Sequence, residues 1–231
     1  MNTTEFDRVA DEYENLHAAN IAITGERPEY FHEYKIRALQ RMTQQRCIDV
    51  KCLLDFGSGI GNSIPFLRKY FPQAQATGAD VSRRSLAIAE TRFPGMATGL
   101  LIEEARIPAE DNSFDVAFSA CVFHHIPWEE HVDWLAELRR VTRPAGMLAV
   151  FEHNPRNPLT VRAVNTCPFD ENARLIGAER LADLLRAAGW GNVETKYHVF
   201  FPHALAALRI LDTYLIRVPF GGQYSVSAVK Q

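Results

Sequence analysis

The amino-acid sequence predicts an α/β protein built on a doubly wound, mostly parallel seven-stranded sheet, with an antiparallel last strand and an N-terminal helical cover. Short apolar runs alternate with helical patterns from residue 50 to about residue 190. Such alternation is typical of parallel strands joined by crossover helices. Two further strand patterns follow this region, and two helical patterns precede it.

Five of the seven strands are predicted in the alternating region. Each is brief and rich in apolar residues, as expected for strands that helices cover on both faces. The other two lie in the tail, where a helix near 203–217 separates them and an antiparallel excursion of the sheet is expected. The predicted strands are 51–56, 75–80, 97–102, 114–120, 146–152, 193–201 and 223–230.

Apolar periodicity and terminal signals predict the helices. Ser82 is a candidate N-cap, and Gly189 is a candidate C-terminal stop. Residues 153–177 form a long connection rich in Pro and Asn, and a connection of that length is usually functional or disordered. The predicted helices are 5–20, 28–44, 62–71, 82–92, 128–141 and 178–188.

Composition excludes or disfavours several classes of protein. The chain has 231 residues, of which 47% are hydrophobic, and a formal net charge of −3. No basic run exceeds two residues, which disfavours a nucleic-acid partner. The four cysteines form no CxxC pair, so we expect no disulfide framework and no metal site. No apolar stretch approaches the roughly 18 residues of a membrane span or resembles a signal peptide, which predicts a cytoplasmic protein without a membrane partner.

A glycine-rich loop follows the first strand of the alternating region, in the segment LLDFGSGIGNS (residues 53–63). Gly57, Gly59 and Gly61 let the backbone turn sharply and approach a ligand without a Cβ in the way. The start of the next helix adds N–H groups without intrahelical partners. Asp80, nineteen residues after Gly61, ends the next strand, where a carboxylate can accept hydrogen bonds from ribose hydroxyls.

A nicotinamide dinucleotide is one candidate ligand for this loop. Its fingerprint is GxGxxG, but here the spacing is GxGxG and Asn62 stands at the position of the third glycine. Asp55 also precedes the loop, and a carboxylate there favours a ligand with an amino group over one with a pyrophosphate. A simple tight turn between strand and helix is the remaining alternative.

At these residues the sequence resembles the class I S-adenosylmethionine-dependent methyltransferases, over roughly residues 50–152. LLDFGSGIG and GADVS resemble the first two motifs of the family, and residues 102–126 and 138–152 resemble its later motifs. Residues 24–35, 151–160 and 167–170 resemble a bacterial subgroup of small-molecule or biosynthetic enzymes. The resemblance implies a Rossmann-like fold and one domain over 1–231, with a helical cap (1–45), a donor-binding core (50–152) and an acceptor-side cover with the terminal strands (153–231).

The resemblance also implies roles for individual residues in binding S-adenosyl-L-methionine. Asp55, Gly57 and Gly59 would hold its methionine portion, with Gly61 completing the loop. Asp80 would bind the ribose. The other implied positions are Val81 beside the adenine, Glu103 or Glu104 at the adenine amino group, and Ser119 and Ala120 under the methionine portion. Glu103-Glu104 departs from the usual Asp-Ala of the family.

The acceptor is expected outside the carboxyl ends of the strands. His153 is the first candidate for a general base and Glu152 the second, because an imidazole with a pKa near 6.5 suits deprotonation of a hydroxyl or an amine. Glu152 is alternatively a ligand for an acceptor cation. Candidate acceptor-binding residues follow the fourth and fifth strands or lie in the N-terminal helix: Tyr13, His17, Cys121, His124, His125 and Asn154.

The sequence therefore predicts transfer of a methyl group from S-adenosylmethionine to O or N of a small-molecule acceptor. An NAD-type oxidoreductase and a non-catalytic donor-binding protein on the same fold are the alternatives. The identity of the acceptor and the oligomeric state do not follow from the sequence.

Overall fold

The computed structural model describes residues 25–167 and 173–231. At its centre lies a sheet whose seven strands are β1 Cys52–Phe56, β2 Gln75–Asp80, β3 Thr98–Leu101, β4 Phe114–Ala120, β5 Thr142–His153, β6 Gly191–His198 and β7 Gln223–Val229. Their order is β3-β2-β1-β4-β5-β7-β6. Only β7 runs against the others, because it pairs antiparallel with both β5 and β6 while the remaining ladders are parallel. The predicted fold class is confirmed.

Helices cover both faces of the sheet. Among the described residues, segments of 3₁₀ helix occur at Phe123–His125, Trp128–Glu130 and His203–Leu211. The α-helices are α1 Pro28–Gln45, α2 Ile64–Tyr70, α3 Arg83–Arg92, α4 His131–Val141, α5 Pro158–Asn165, α6 Ala178–Ala187 and α7 Asp212–Leu215.

Side chains alternate between two cores, one on each face of the sheet. Val116 and Phe118 of β4 pack with α1 and α2, whereas Ala117 between them packs on the opposite face with α4 and α6. This alternation follows from the two-residue period of a strand. Both faces are apolar, which explains why the strands read as short apolar runs in the sequence.

The strand order reverses direction at β1. The chain leaves β1 toward β2 and β3 on one side, and β4 and β5 lie on the other side. The carboxyl ends of β1 and β4 therefore flank a topological switch point, where open α/β sheets bind their ligands. Asp55 lies next to the end of β1 and Ser119 next to the end of β4, so the fold brings these two predicted positions to the same crevice.

Most predicted helix ends agree with the structure. The Ser82 hydroxyl accepts a hydrogen bond from Ser85 N at 3.0 Å and so caps α3. Gly189 follows α6 with a φ of +84°, and its N–H donates to Arg186 O at 3.0 Å. The predicted helix 5–20 lies outside the described residues.

Four segments differ from the sequence-based prediction, and one of them is β6, which spans Gly191–His198 rather than 193–201. The connection 153–177 contains a helix, α5, which Asn157 caps by accepting from the N–H groups of residues 159 and 160. The helix expected near 203–217 is mostly 3₁₀ and has a kink at Leu205. The fifth strand begins at Thr142 rather than at 146, but its ladder is interrupted, since Phe114 pairs with Thr142 and Val116 with Met147.

Candidate functional site

The loop after β1 adopts a backbone conformation that favours glycine. Gly57 has a φ of +73°, and a Cβ added there would lie 2.4 Å from Cγ2 of Val122. Gly59 has a φ of +52°, but a Cβ there would meet no atom within 4 Å. Gly57 thus allows the loop to pack tightly on the segment after β4, while Gly59 leaves open space at the crevice. Gly61 instead permits close packing on α3, where an added Cβ would lie 3.0 Å from Ala89.

Asp80 ties this loop to the end of β2. One carboxylate oxygen accepts from Gly59 N at 2.8 Å, and the other accepts from Ser82 N at 2.8 Å. Charge-assisted bonds of this kind are stronger than neutral ones. Asp80 therefore fixes the loop and places a buried carboxylate beside it, as its predicted ribose-binding role requires. Val81, which follows it, is half-buried against the core.

Asp55 is a second buried carboxylate beside the loop. Asp55 is only 3% exposed, and its Oδ2 has no hydrogen-bond partner in the described part of the chain. Burial raises the pKa of Asp55 to about 7, the Asp80 charge adds to the rise, and a hydrogen bond from Ser63 and the Lys35 charge oppose it. A buried, incompletely paired carboxylate is costly unless a cation neutralises it. The end of β1 is therefore suited to an ammonium group.

The end of β4 provides a further polar atom. Ser119 is fully buried, and its hydroxyl has no hydrogen-bond partner among residues 25–167 and 173–231. Ala120, the next residue, is half-buried. Ser119 pairs in register with Phe56, so it lies beside the start of the glycine loop.

The two glutamates after β3 are both exposed. Glu103 is 72% exposed in its side chain and lies 3.6 Å from Arg83. Glu104 adopts a φ of +50°. Neither is buried like Asp55 and Asp80, so the structure does not single out one glutamate for the adenine amino group.

On the acceptor side, Glu152 and His124 form a buried pair. His124 Nδ1 lies 2.6 Å from Glu152 Oε2, and the other oxygen of Glu152 accepts from the N–H groups of Val122 and Phe123. Burial opposes ionisation of Glu152, but the His124 charge and these hydrogen bonds outweigh it and lower its pKa to about 2. Glu152 is therefore an ionised anchor that orients His124 and the turn after β4.

Two other predicted acceptor-side residues, His125 and His153, lie beside this pair. The ring centroids of His125 and His153 lie 4.2 Å and 5.3 Å from that of His124. Asn154 is instead engaged elsewhere, because its amide donates to the carbonyls of Pro219 and Gly221. Tyr13 and His17 lie outside the described residues.

Cys121 contacts a residue that the sequence analysis missed. Its thiol lies 3.4 Å from Nζ of Lys35, which is only 5% exposed. Burial opposes thiolate formation, but the charges of His153 and Lys35 outweigh it, and the pKa of Cys121 falls to about 7. A usable signal was present in the sequence. Lys35 stands between Phe31 and Leu39 at intervals of four, which is a core position of an amphipathic helix.

Comparisons with known proteins agree with this geometry. Residues 54–150 match a family model described as a methyltransferase domain. A trans-aconitate 2-methyltransferase from Azoarcus sp. is 33% identical over 158 residues, which are 68% of this chain and 58% of that protein. Residues 54–150 therefore form a methyltransferase domain, on the Rossmann-like sheet of the class I S-adenosylmethionine-dependent enzymes. The aligned part spans less than two thirds of that relative.

Other relatives and solved structures are similar to this methyltransferase. A ubiquinone/menaquinone biosynthesis C-methyltransferase from Desulfotalea psychrophila is 27% identical over 62% of this chain and 67% of its own length. A Thermotoga maritima structure, described as a possible histamine N-methyltransferase, aligns over 99% of both chains with a TM-score of 0.68. At 18% identity, that structure supports the fold alone.

The loop and its two carboxylates fit S-adenosylmethionine, the cofactor of this family. Asp55 offers a buried acceptor to its ammonium, and Gly59 leaves space for close approach of the ligand. Among residues 25–167 and 173–231, no cluster of His, Cys, Asp and Glu has the arrangement of a metal site. The helices in the same ranges are all too short or too polar to cross a bilayer.

Proposed function

We propose that this methyltransferase transfers the methyl group of S-adenosylmethionine to an oxygen or nitrogen of a small-molecule acceptor. The observation that carries the proposal is Asp55, a buried carboxylate with an unpaired oxygen beside a loop that opens at Gly59. An amino-acid ammonium at the end of β1 would satisfy that oxygen. It would also direct the remainder of the donor along the loop toward the ends of β4 and β5.

When bound, S-adenosylmethionine supplies a methyl group that is already activated on a sulfonium. The protein then has to align the acceptor, exclude water and, for a hydroxyl or ammonium acceptor, remove a proton. We assign proton removal to His153, which ends β5 and is half-buried between Cys121 and His124. Glu152 is fully engaged by His124 and two N–H groups, which favours a positioning role over the direct role considered for it.

Several relatives support a small-molecule acceptor. Trans-aconitate, named for the Azoarcus relative, is a small polycarboxylate. The sequence has no run of more than two basic residues, which disfavours a nucleic-acid substrate and so also favours a small molecule. Donor binding without any turnover would support the non-catalytic alternative.

Methylation at carbon is a second candidate. Two relatives are 27% identical to this chain, one named as a ubiquinone/menaquinone biosynthesis C-methyltransferase and the other as a demethylmenaquinone methyltransferase. A carbon acceptor also has to lose a proton after or during transfer, so the same base would serve it.

An acceptor screen with a trideuteromethyl donor tests the proposal. The purified protein is incubated with trans-aconitate, small amines, phenols and quinols, and products are detected by mass spectrometry as a gain of the labelled methyl group. Fragmentation of the product assigns the methyl to O, N or C. The variant Asp55→Ala serves as the control that lacks the donor-binding carboxylate. Labelling of only nucleic acid or protein would reject the proposed acceptor class.

A further inference from the structure

Lys35 is a buried cation without a carboxylate partner in the part of the chain that the structure describes. It lies in α1, is 5% exposed, and forms no ion pair with any described residue. Its ammonium is 3.4 Å from the Cys121 thiol. Burying an ammonium group is costly unless an anion compensates for the lost hydration. A lysine at a core position of a helix therefore points to a negatively charged partner.

The groups around Cys121 show which charges balance the buried ammonium of Lys35. Lys35, His153, Glu152, Tyr34 and Tyr224 all interact with this thiol. The positive charges of His153 and Lys35 favour the thiolate, whereas Glu152 disfavours it. A partially ionised thiol is thus the internal counter-ion of Lys35. A thiol is a poor substitute for a carboxylate, because it accepts hydrogen bonds only weakly.

Lys35 also lies within electrostatic reach of Asp55. Among residues 25–167 and 173–231, the crevice therefore presents a carboxylate with an unpaired oxygen and an ammonium paired only with a thiol. A ligand that carries both an ammonium and a carboxylate would complement the two charges. A ligand with a carboxylate alone would complement Lys35.

We propose that Lys35 and Cys121 form a carboxylate-binding subsite at the ends of β1 and β4. The carboxylate is either that of the donor's methionine portion or that of the acceptor, and in both cases the inference rests on the proposed function. On binding, the carboxylate replaces the Cys121 thiolate as the counter-ion of Lys35. The chain then keeps one negative charge beside the ammonium, and the thiolate takes up a proton.

Calorimetry on Lys35→Met distinguishes the two sources. The probes are S-adenosylhomocysteine, its analogue S-adenosyl-3-thiopropylamine, which lacks only the carboxylate, and trans-aconitate added with saturating S-adenosylhomocysteine. If the donor carboxylate binds, Lys35→Met weakens S-adenosylhomocysteine at least tenfold and changes the analogue less than twofold. If the acceptor carboxylate binds, only trans-aconitate binding is lost. Lys35→Arg, which keeps the charge, restores most of the affinity in either case.

Arg37→Met provides the matched control. It removes the same charge from the same helix, but at an exposed position, so it should leave all three affinities within twofold. Circular dichroism checks that each variant is folded. Equal weakening of S-adenosylhomocysteine and its analogue in Lys35→Met would indicate a structural role and overturn the subsite. The subsite is also overturned if Lys35→Met binds S-adenosylhomocysteine as tightly as wild type and the change has no effect on trans-aconitate binding. Failure of the wild-type protein to bind S-adenosylhomocysteine would instead contradict the proposed function.

The thiol provides a readout that does not depend on turnover. The pH dependence of Cys121 alkylation by iodoacetamide is followed on its own peptide by mass spectrometry. Lys35→Met should raise the apparent pKa of the thiol, because the ammonium no longer stabilises the thiolate. The bound carboxylate should raise the apparent pKa of Cys121 in the wild-type protein. It should have no further effect on that pKa in Lys35→Met. An alkylation profile that is the same in both proteins contradicts the pairing.

Discussion

At the scale of single residues, the buried carboxyl of Asp55 lowers the stability of the folded protein. The pKa of its carboxyl is raised by burial and by Asp80 from 3.8 to about 7 in the folded protein. Between these two values the unfolded chain releases a proton that the folded chain retains, so the folded state loses stability as pH rises through this range. Above pH 7 both states carry the charge, and the folded state keeps the full cost of burying it.

Asp55→Asn should therefore stabilise the ligand-free protein and abolish most donor binding. We expect the free energy of unfolding at pH 8 to rise by about 1–3 kcal/mol, because the amide removes a buried negative charge. The gain should be smaller at pH 5, where the wild-type carboxyl is protonated. Thermal unfolding and calorimetry with S-adenosylhomocysteine measure the two effects. A gain in unfolding free energy over wild type that is smaller at pH 8 than at pH 5 would contradict this account.

Gly59 can be tested against a second glycine of similar conformation. Gly59 and Gly95 have φ values of +52° and +67°, and an added Cβ would meet no atom within 4 Å at either position. Each change to Ala should thus cost about 1 kcal/mol of stability through backbone strain alone. Only Gly59→Ala should weaken S-adenosylhomocysteine binding, by tenfold or more, because its Cβ occupies space at the crevice. Equal donor affinities for the two variants would show that the donor does not approach Gly59.

His153 is expected to act as the general base. His153→Ala should lower kcat on the identified acceptor by about a hundredfold or more, the usual effect of losing such a base. Donor affinity should change little, since the residue lies at the end of β5. Turnover within about threefold of wild type would remove His153 from the reaction.

At the scale of secondary-structure elements, α4 holds the turn that carries the histidines. His131 at its start is fully buried, and its Nε2 lies 2.9 Å and 3.0 Å from the carbonyls of Phe123 and Ile126. Carbonyls only accept, so Nε2 carries the proton. His131 thus connects α4 to the Phe123–His125 turn by a bifurcated hydrogen bond and is a structural residue.

His131→Ala should loosen that turn. Leaving two buried carbonyls without a donor and a cavity in place of the ring should cost about 2–4 kcal/mol of stability. The His124–Glu152 pair should then weaken, which NMR detects as a shift of the His124 ring resonances. His131→Gln keeps a donor and should recover part of the stability. A fully stable Ala variant would mean that Glu152 alone fixes the turn.

The elements that were predicted well are those whose pattern depends on burial on both faces of the sheet. The strands 75–80 and 114–120 were predicted with their observed bounds, because apolar residues and flanking turns mark them. Helix α5 was missed because its first residue is a proline in a segment rich in Asn and Pro. In that segment Asn157 acts as a helix cap, although the same residue types also indicate loops.

The residues of the site also fall into two groups: those that local sequence patterns indicate and those that depend on tertiary contacts. Asp55 and Asp80 were predicted through their positions at strand ends, and the fold places both at the switch point. Lys35 was missed because a lysine on a helix is usually solvated, and its burial depends on contacts with a residue 86 positions away. The engagement of Glu152 by its neighbours also required the tertiary structure, since its partners lie about 30 residues earlier in the chain.

At the scale of the whole molecule, three segments far apart in the sequence are joined beside the carboxyl edge of the sheet. Glu26 pairs with Arg209, whose guanidinium also lies 4.4 Å from the ring centroid of Tyr30. Asn157 donates to Phe220 O, and the Thr160 hydroxyl donates to Gly222 O at 2.9 Å. The start of α1, the segment 203–222 and the start of α5 therefore form a connected cover. Several of its apolar side chains are exposed, including Ile210 at 77% and Phe220 at 65%.

Because these segments are connected, we expect ligand binding to order them together. Amide hydrogen exchange in 25–40, 154–165 and 203–222 should slow when S-adenosylhomocysteine and the acceptor are bound. Segments with few buried contacts open with low free energy, so closure over a ligand has its largest effect there. Helix α6 packs on the opposite face of the sheet from α1 and α2 and should exchange at the same rate in both states, which makes it the internal control. Exchange that is identical with and without both ligands in all three segments would show that the cover is already closed, and protection of α6 alone would place the effect outside the crevice.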